Sequence, residues 1–71
     1  MNDNIIKYYR IKKGMTLEEL GSKIGYTKSA IYRMEKGLFQ PKASAIINLS
    51  NILDCSISEL VNHFAKLESK Q

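Results

Sequence analysis

The chain has 71 residues, with 11 Lys+Arg against 7 Asp+Glu, one His and one Cys, for a formal net charge of +4. That length holds one domain around one small core; a single Cys excludes an internal disulfide, and one His with one Cys cannot complete a four-ligand zinc site. With 44% hydrophobic residues and apolar runs of at most three, the composition argues for a folded domain and against disorder, a transmembrane span or a signal-peptide core.

The apolar spacing is helical throughout, with no sustained period of two, and turn signals divide the chain into about five helices. The first is expected over residues 2–13, with Ile6, Tyr9 and Lys13 at helical spacing and Gly14 stopping it as a C′ glycine. Thr16-Leu17-Glu18-Glu19 is a capping box that opens the second helix. Leu17, Leu20 and Ile24 line that helix, and Gly25 ends it. Thr27 is a good N-cap for the third helix, which continues through Ile31 and Met34 to Lys36 and stops at Gly37. Leu38-Phe39-Gln40-Pro41 forms the next loop. A fourth helix follows Pro41, with Ile46, Leu49 and Leu53 on one stripe. Ser56-Ile57-Ser58-Glu59 is a second capping box and opens the fifth, whose apolar side is Ile57, Leu60, Val61 and Phe64. The expected domain covers residues 1–67, and 68–71 form a polar tail that frays. Five short helices on short loops make an all-α domain.

Charge is spread unevenly over these elements. Residues 1–42 carry nine basic and four acidic side chains, a net +5, whereas residues 43–71 carry two and three, a net −1. The basic part is either a solvated surface or a binding face for a polyanion, followed by a segment for packing or dimerisation. Residues 16–37 favour the second reading. Two short helices joined by Gly25-Tyr26-Thr27 read as a helix-turn-helix, a motif whose second helix enters the DNA major groove. A plain helical hairpin with a glycine turn is the alternative that spacing alone leaves open.

The pattern Ile6, Arg10, Gly14-Met15-Thr16, Glu19-Leu20, Ile24-Gly25, Thr27, Ile31, Glu35, Gly37, Pro41, Leu49, Leu53, Ser56 and Leu60 resembles the phage repressor and Cro-type, or XRE, helix-turn-helix family over roughly residues 6–64. The resemblance implies a five-helix, lambda-repressor-like DNA-binding domain. It implies that Arg10 and Glu35 join the first helix to the end of the recognition helix as an ion pair. Lys28, Ser29 and Arg33 match positions that face base edges, with Tyr32 beside them, in reach of a thymine methyl or a sugar. Arg33 suits paired hydrogen bonds to guanine O6 and N7. Thr16, Thr27, Lys36, Gln40, Lys42 and Ser44 are the expected backbone contacts, with Arg10, Lys12 and Lys13 as further basic candidates; such contacts give affinity and salt dependence rather than sequence choice. The chain departs from the family pattern at Leu17, where a phosphate-binding Gln is common, at Gly21, often Ala, and at Lys42, where a Ser or Thr cap is common.

Other residues read as structural. Cys55 is expected as a small buried hydrophobe. His63 has no second ligand or nucleophile near it in sequence, and no nucleophile–base pair points to an enzyme. Tyr9 is expected to pack in the core; Tyr8 is left open, and Leu38 and Phe39 serve either the core or the sugar-phosphate edge. On the fifth helix, Ile57, Leu60, Val61 and Phe64 either all close the core or supply a two-fold dimer contact; a split is favoured, with Ile57 and Leu60 toward the core and Val61 and Phe64 toward the interface, and Ile57 counts among the interface candidates as well. The functional expectation is a sequence-specific regulator of transcription. It would be a cytoplasmic homodimer that binds double-stranded DNA at a palindromic operator, most simply as a repressor. No cofactor, metal, membrane or small-molecule ligand is expected. A protein-interaction module, such as the antitoxin of a toxin–antitoxin pair, is the alternative.

Overall fold

The computed structural model describes residues 4–69, with side chains through Lys66. Five α-helices follow one another: α1 (Ile5–Lys12), α2 (Leu17–Ile24), α3 (Lys28–Glu35), α4 (Ala43–Leu53) and α5 (Ile57–Ser69). Helix α2 packs mainly on α3, and α4 on α5, while α1 bridges to α3 and α4. Helices of eight residues are marginal in water on their own. Here they are held by one shared core: Ile6 from α1, Leu20 and Ile24 from α2, Ile31 and Met34 from α3, Leu49 and Leu53 from α4, and Leu60 and Phe64 from α5.

Local signals set most of the boundaries. Thr16 accepts from Glu19 N at 3.0 Å while the Glu19 carboxylate accepts from Thr16 N at 2.8 Å, so the first capping box is closed in both directions. Gly25 ends α2 in the left-handed region at φ +78°, and its N–H donates to Gly21 O. Gly14 follows α1 at φ +71°. Helix α4 begins after Lys42, whose side chain makes no cap hydrogen bond.

The structure alters four expectations. Helix α1 starts at Ile5 and not at residue 2, because Asn4 is the N-cap and its Oδ1 accepts from Ile6 N at 2.6 Å; residues 1–3 lie outside the described part. The second capping box is half made. Ser56 Oγ accepts from Glu59 N at 3.0 Å, but the Glu59 carboxylate accepts from the Tyr9 hydroxyl at 3.0 and 3.1 Å. Helix α5 continues through Ser69, past the domain end expected at residue 67, while the last two residues of the expected tail lie outside the described part. The apolar residues of α5 also divide differently. Phe64 is 3% exposed and closes the core beside Leu60, whereas Ile57 and Val61 are each 46% exposed. Leu60 and Phe64, four residues apart, form the buried seam of α5, and Ile57 and Val61 form the next ridge around the helix. Phe64 is therefore a core residue and not an interface residue, and Ile57 is not in the core.

Candidate nucleic-acid interface

The helix-turn-helix is assembled by backbone constraints. Gly21 carries no Cβ, and an ideal Cβ there would lie 2.5 Å from the Tyr26 carbonyl oxygen, so the turn closes directly onto α2. Tyr26 N–H donates to Gly21 O at 2.9 Å. Thr27 Oγ1 then accepts from Ala30 N at 3.1 Å and starts α3. Helix α3 buries Ile31 and Met34 and leaves Lys28, Ser29, Tyr32, Arg33 and Lys36 exposed. Residues 28, 29, 32, 33 and 36 recur at three- and four-residue steps, so they share one helical face.

Two attachments fix that helix to the body. Arg10 Nε donates to Glu35 Oε2 at 2.6 Å and Nη2 donates to Oε1 at 3.2 Å, while Nη1 donates to Met15 O at 2.8 Å. The side chains are only 12% and 6% exposed. Asn4, 7% exposed, donates from Nδ2 to Met34 O at 3.0 Å. The end of α3 is thus held by both the first turn and the last turn of α1.

Of the residues expected at base edges, Lys28, Ser29, Tyr32 and Arg33 line one groove of about 460 Å³, and Leu17 completes it. The Lys36 ammonium sits 5.5 Å over the centroid of the Tyr32 ring. Thr16 and Thr27 are exposed but their hydroxyls serve the caps. Lys36, Lys42 and Ser44 are exposed. Gln40 is exposed as well, and its Nε2 donates to Phe64 O at 3.0 Å, which ties the loop after α3 to α5. Phe39 packs edge-on against Tyr26, with centroids 5.6 Å apart, whereas Leu38 is 69% exposed. Two contributors are absent from the sequence reading. Asn4 was available as a strong N-cap type before Ile5-Ile6. Leu17 reads as part of the apolar stripe of α2 and as a departure from a phosphate-binding Gln, and nothing local reveals that it walls the groove.

The remaining polar groups have structural surroundings. Tyr9 is half-buried, and its hydrogen bond to Glu59 pushes the phenol pKa up. Tyr8 is 57% exposed with the Lys12 ammonium 5.8 Å over its ring. Burial pushes the Cys55 thiol up from its ordinary value, away from a reactive thiolate. Burial, helped by Lys66, lowers the His63 pKa. Among the described residues no cluster of three His, Cys, Asp or Glu could hold a metal ion, and no helix is long and apolar enough to cross a membrane.

A glycine-turned helix pair, with a polar and basic second helix held rigidly on a helical body, defines a helix-turn-helix DNA-binding domain. The helix-turn-helix family model matches residues 6–60, and the chain belongs to the Cro/C1-type, or XRE, family of DNA-binding transcriptional regulators. The chain is similar to the HTH-type transcriptional regulator SinR of Bacillus licheniformis, at 38% identity over 58 residues, covering 80% of this chain and 52% of that protein. It is 36% identical over 56 residues to an uncharacterized HTH-type transcriptional regulator of Bacillus subtilis, YqaE, covering 79% of this chain and 48% of the relative. An uncharacterized HTH-type transcriptional regulator of Archaeoglobus fulgidus is 33% identical over 55 residues, with 78% and 79% covered. The chain therefore spans about half the length of the two Bacillus relatives. No solved structure matches with comparable significance.

Proposed function

We propose that the chain binds a specific double-stranded operator as a homodimer and regulates transcription from it, most simply by repression through promoter occupancy. Lys28, Ser29 and Arg33 read base edges, with Tyr32 beside them. Thr16, Thr27, Lys36, Lys42 and Ser44 approach the phosphates, and Gln40 braces the loop. The dimer contact runs through the exposed ridge of Ile57 and Val61. The observation that carries the reading is the face of α3. Four polar or aromatic side chains line one groove there, on a helix whose far end is locked by Arg10–Glu35 and Asn4. A two-fold dimer sets its two recognition helices in successive major grooves about 34 Å apart, which makes the operator roughly palindromic. A protein with this ligand acts in the cytoplasm, at the nucleoid.

The test is selection of bound duplexes from a random pool, followed by binding of the winner across a salt series. A two-fold symmetric site bound at least 10³-fold more tightly than random DNA is the expected result. Enrichment of no site, with only weak salt-sensitive binding, overturns the reading.

A further inference from the structure

The groove beside α3 has walls of two kinds. Leu17, the first residue of α2, is half-buried against the core, and the Tyr32 ring, with the Lys36 ammonium 5.5 Å over its centroid, lines the same groove. These two surfaces are apolar. Lys28, Ser29 and Arg33 place hydrogen-bond donors around them. The major groove of DNA offers one apolar group, the C5-methyl of thymine, and it lies beside the O4 acceptor of the same base. A donor-rimmed apolar groove complements that edge. Cytosine methylated at C5 carries the same methyl, but presents an N4 amino donor where thymine presents O4. The cationic rim therefore favours thymine.

We propose that this groove reads the C5-methyl of a thymine adjacent to the guanine taken by Arg33, with Leu17 as a specificity-determining side chain. The inference rests on the proposed entry of α3 into the major groove and names the base step it selects. Leu17 has neither charge nor donor for a phosphate, so its exposed surface contributes only where an apolar group covers it. The Tyr32 ring supplies the second apolar surface of the groove.

The experiment uses the full chain and the operator obtained by selection, with each thymine replaced in turn by deoxyuridine. Loss of one buried methyl is expected to weaken binding about fourfold at one position per half-site, next to the guanine at which Arg33→Ala loses its discrimination. Replacing that thymine–adenine pair by 5-methylcytosine–guanine, which keeps the methyl but removes O4, is expected to weaken binding further than deoxyuridine does. Leu17→Met, apolar and of similar size, should keep the thymine-to-deoxyuridine ratio; Leu17→Gln should bring it close to one. Thermal melting of both variants verifies folding. A selected operator with no deoxyuridine-sensitive position overturns this inference and leaves the operator reading intact. So does full affinity for the 5-methylcytosine duplex, or a fourfold ratio that persists in Leu17→Gln. Failure to select any operator removes the underlying reading instead.

Discussion

Arg10 grips Glu35 through two of its nitrogens, at 2.6 and 3.2 Å, and uses the third to hold the Met15 carbonyl at 2.8 Å. One guanidinium thus joins α1, the loop before α2, and the last residue of α3. Both side chains are nearly withdrawn from water, so removing one partner leaves the other charge uncompensated. Glu35→Gln is expected to cost about 3 kcal/mol, read as a fall in the denaturation midpoint with unchanged m-value. The double variant Arg10→Met/Glu35→Leu, which removes both charges, should recover most of that loss.

Asn4 performs two jobs with two different atoms. Its Oδ1 caps α1 and its Nδ2 donates to Met34 O across 30 residues of chain. Asn4→Ala should cost about 2 kcal/mol, the sum of a lost cap and a lost buried hydrogen bond to Met34 O, which keeps the backbone N–H of Gly37 at 3.2 Å. Asn4→Asp is the sharper variant, because Asp is ordinarily as good an N-cap as Asn. It keeps the acceptor, loses the donor and turns a carboxylate oxygen toward a carbonyl. Chemical denaturation should place Asn4→Asp with Asn4→Ala and not with the parent.

What the sequence made legible was local chemistry. The Thr16–Glu19 box, the Thr27 cap and the left-handed Gly25 each depend on residues within four positions of one another, and all three are present. The exposed face of α3 followed from the family resemblance, with which the helical spacing of its residues agrees. What stayed hidden depends on partners distant in sequence. Glu59 left its capping box for a hydroxyl 50 residues away. Gln40 found the carbonyl of Phe64, and Phe64 itself turned inward because the rotation of α5 is set by the core it covers. The apolar pattern Ile57, Leu60, Val61 and Phe64 has the width of an ordinary core-facing stripe, about 100°, and nothing local says that only its Leu60–Phe64 half is covered.

The two glycines of the helix-turn-helix are required for different reasons, and alanine separates them. At Gly25 a Cβ meets nothing within 4 Å, but φ is +78°. Gly25→Ala is expected to cost about 1 kcal/mol for the left-handed backbone, and Gly25→Asn less. At Gly21 the backbone is helical and Ala is the better helix former by about 1 kcal/mol. The Tyr26 carbonyl, 2.5 Å from the new Cβ, opposes that gain. Because that atom is backbone, the turn itself has to shift. Gly21→Ala should therefore destabilise, by about 1–3 kcal/mol. Equal or higher stability in thermal melts would mean the turn yields more easily than its hydrogen bond to Gly21 O suggests.

Helix α5 permits folding and self-association to be separated. Phe64→Ala removes a core ring and should cost about 3–5 kcal/mol. Val61→Glu alters a side chain that is 46% exposed in the single chain, where surface changes fall within about ±0.5 kcal/mol. It places a charge in the middle of the proposed Ile57–Val61 contact. Sedimentation should therefore report a folded monomer, and operator binding should weaken because each half-site is held alone. A Val61→Glu protein that still sediments as a dimer places the contact elsewhere.

His63 gives the fold a dependence on pH whose direction is fixed by its surroundings. Its Nε2 is buried with no hydrogen-bond partner among the described residues, its ring stacks edge-on with Phe64 at 5.1 Å, and burial, then Lys66, holds its pKa below the ordinary value. A group with a lowered pKa in the folded state binds its proton more readily when the chain is unfolded. Above about pH 6.5, the ordinary histidine value, both states are neutral at this site and stability is unaffected. As pH falls below that value the unfolded chain takes up the proton first, and stability declines until the folded-state pKa is passed. Melting curves between pH 7.5 and 5.0, above the range in which most carboxylates titrate, should show a falling midpoint. His63→Phe keeps an aromatic ring against Phe64 and removes the titrating nitrogen, so its midpoint should stay nearly flat over the same interval. If parent and variant fall in parallel, the proton is taken up elsewhere and His63 is neutral packing alone.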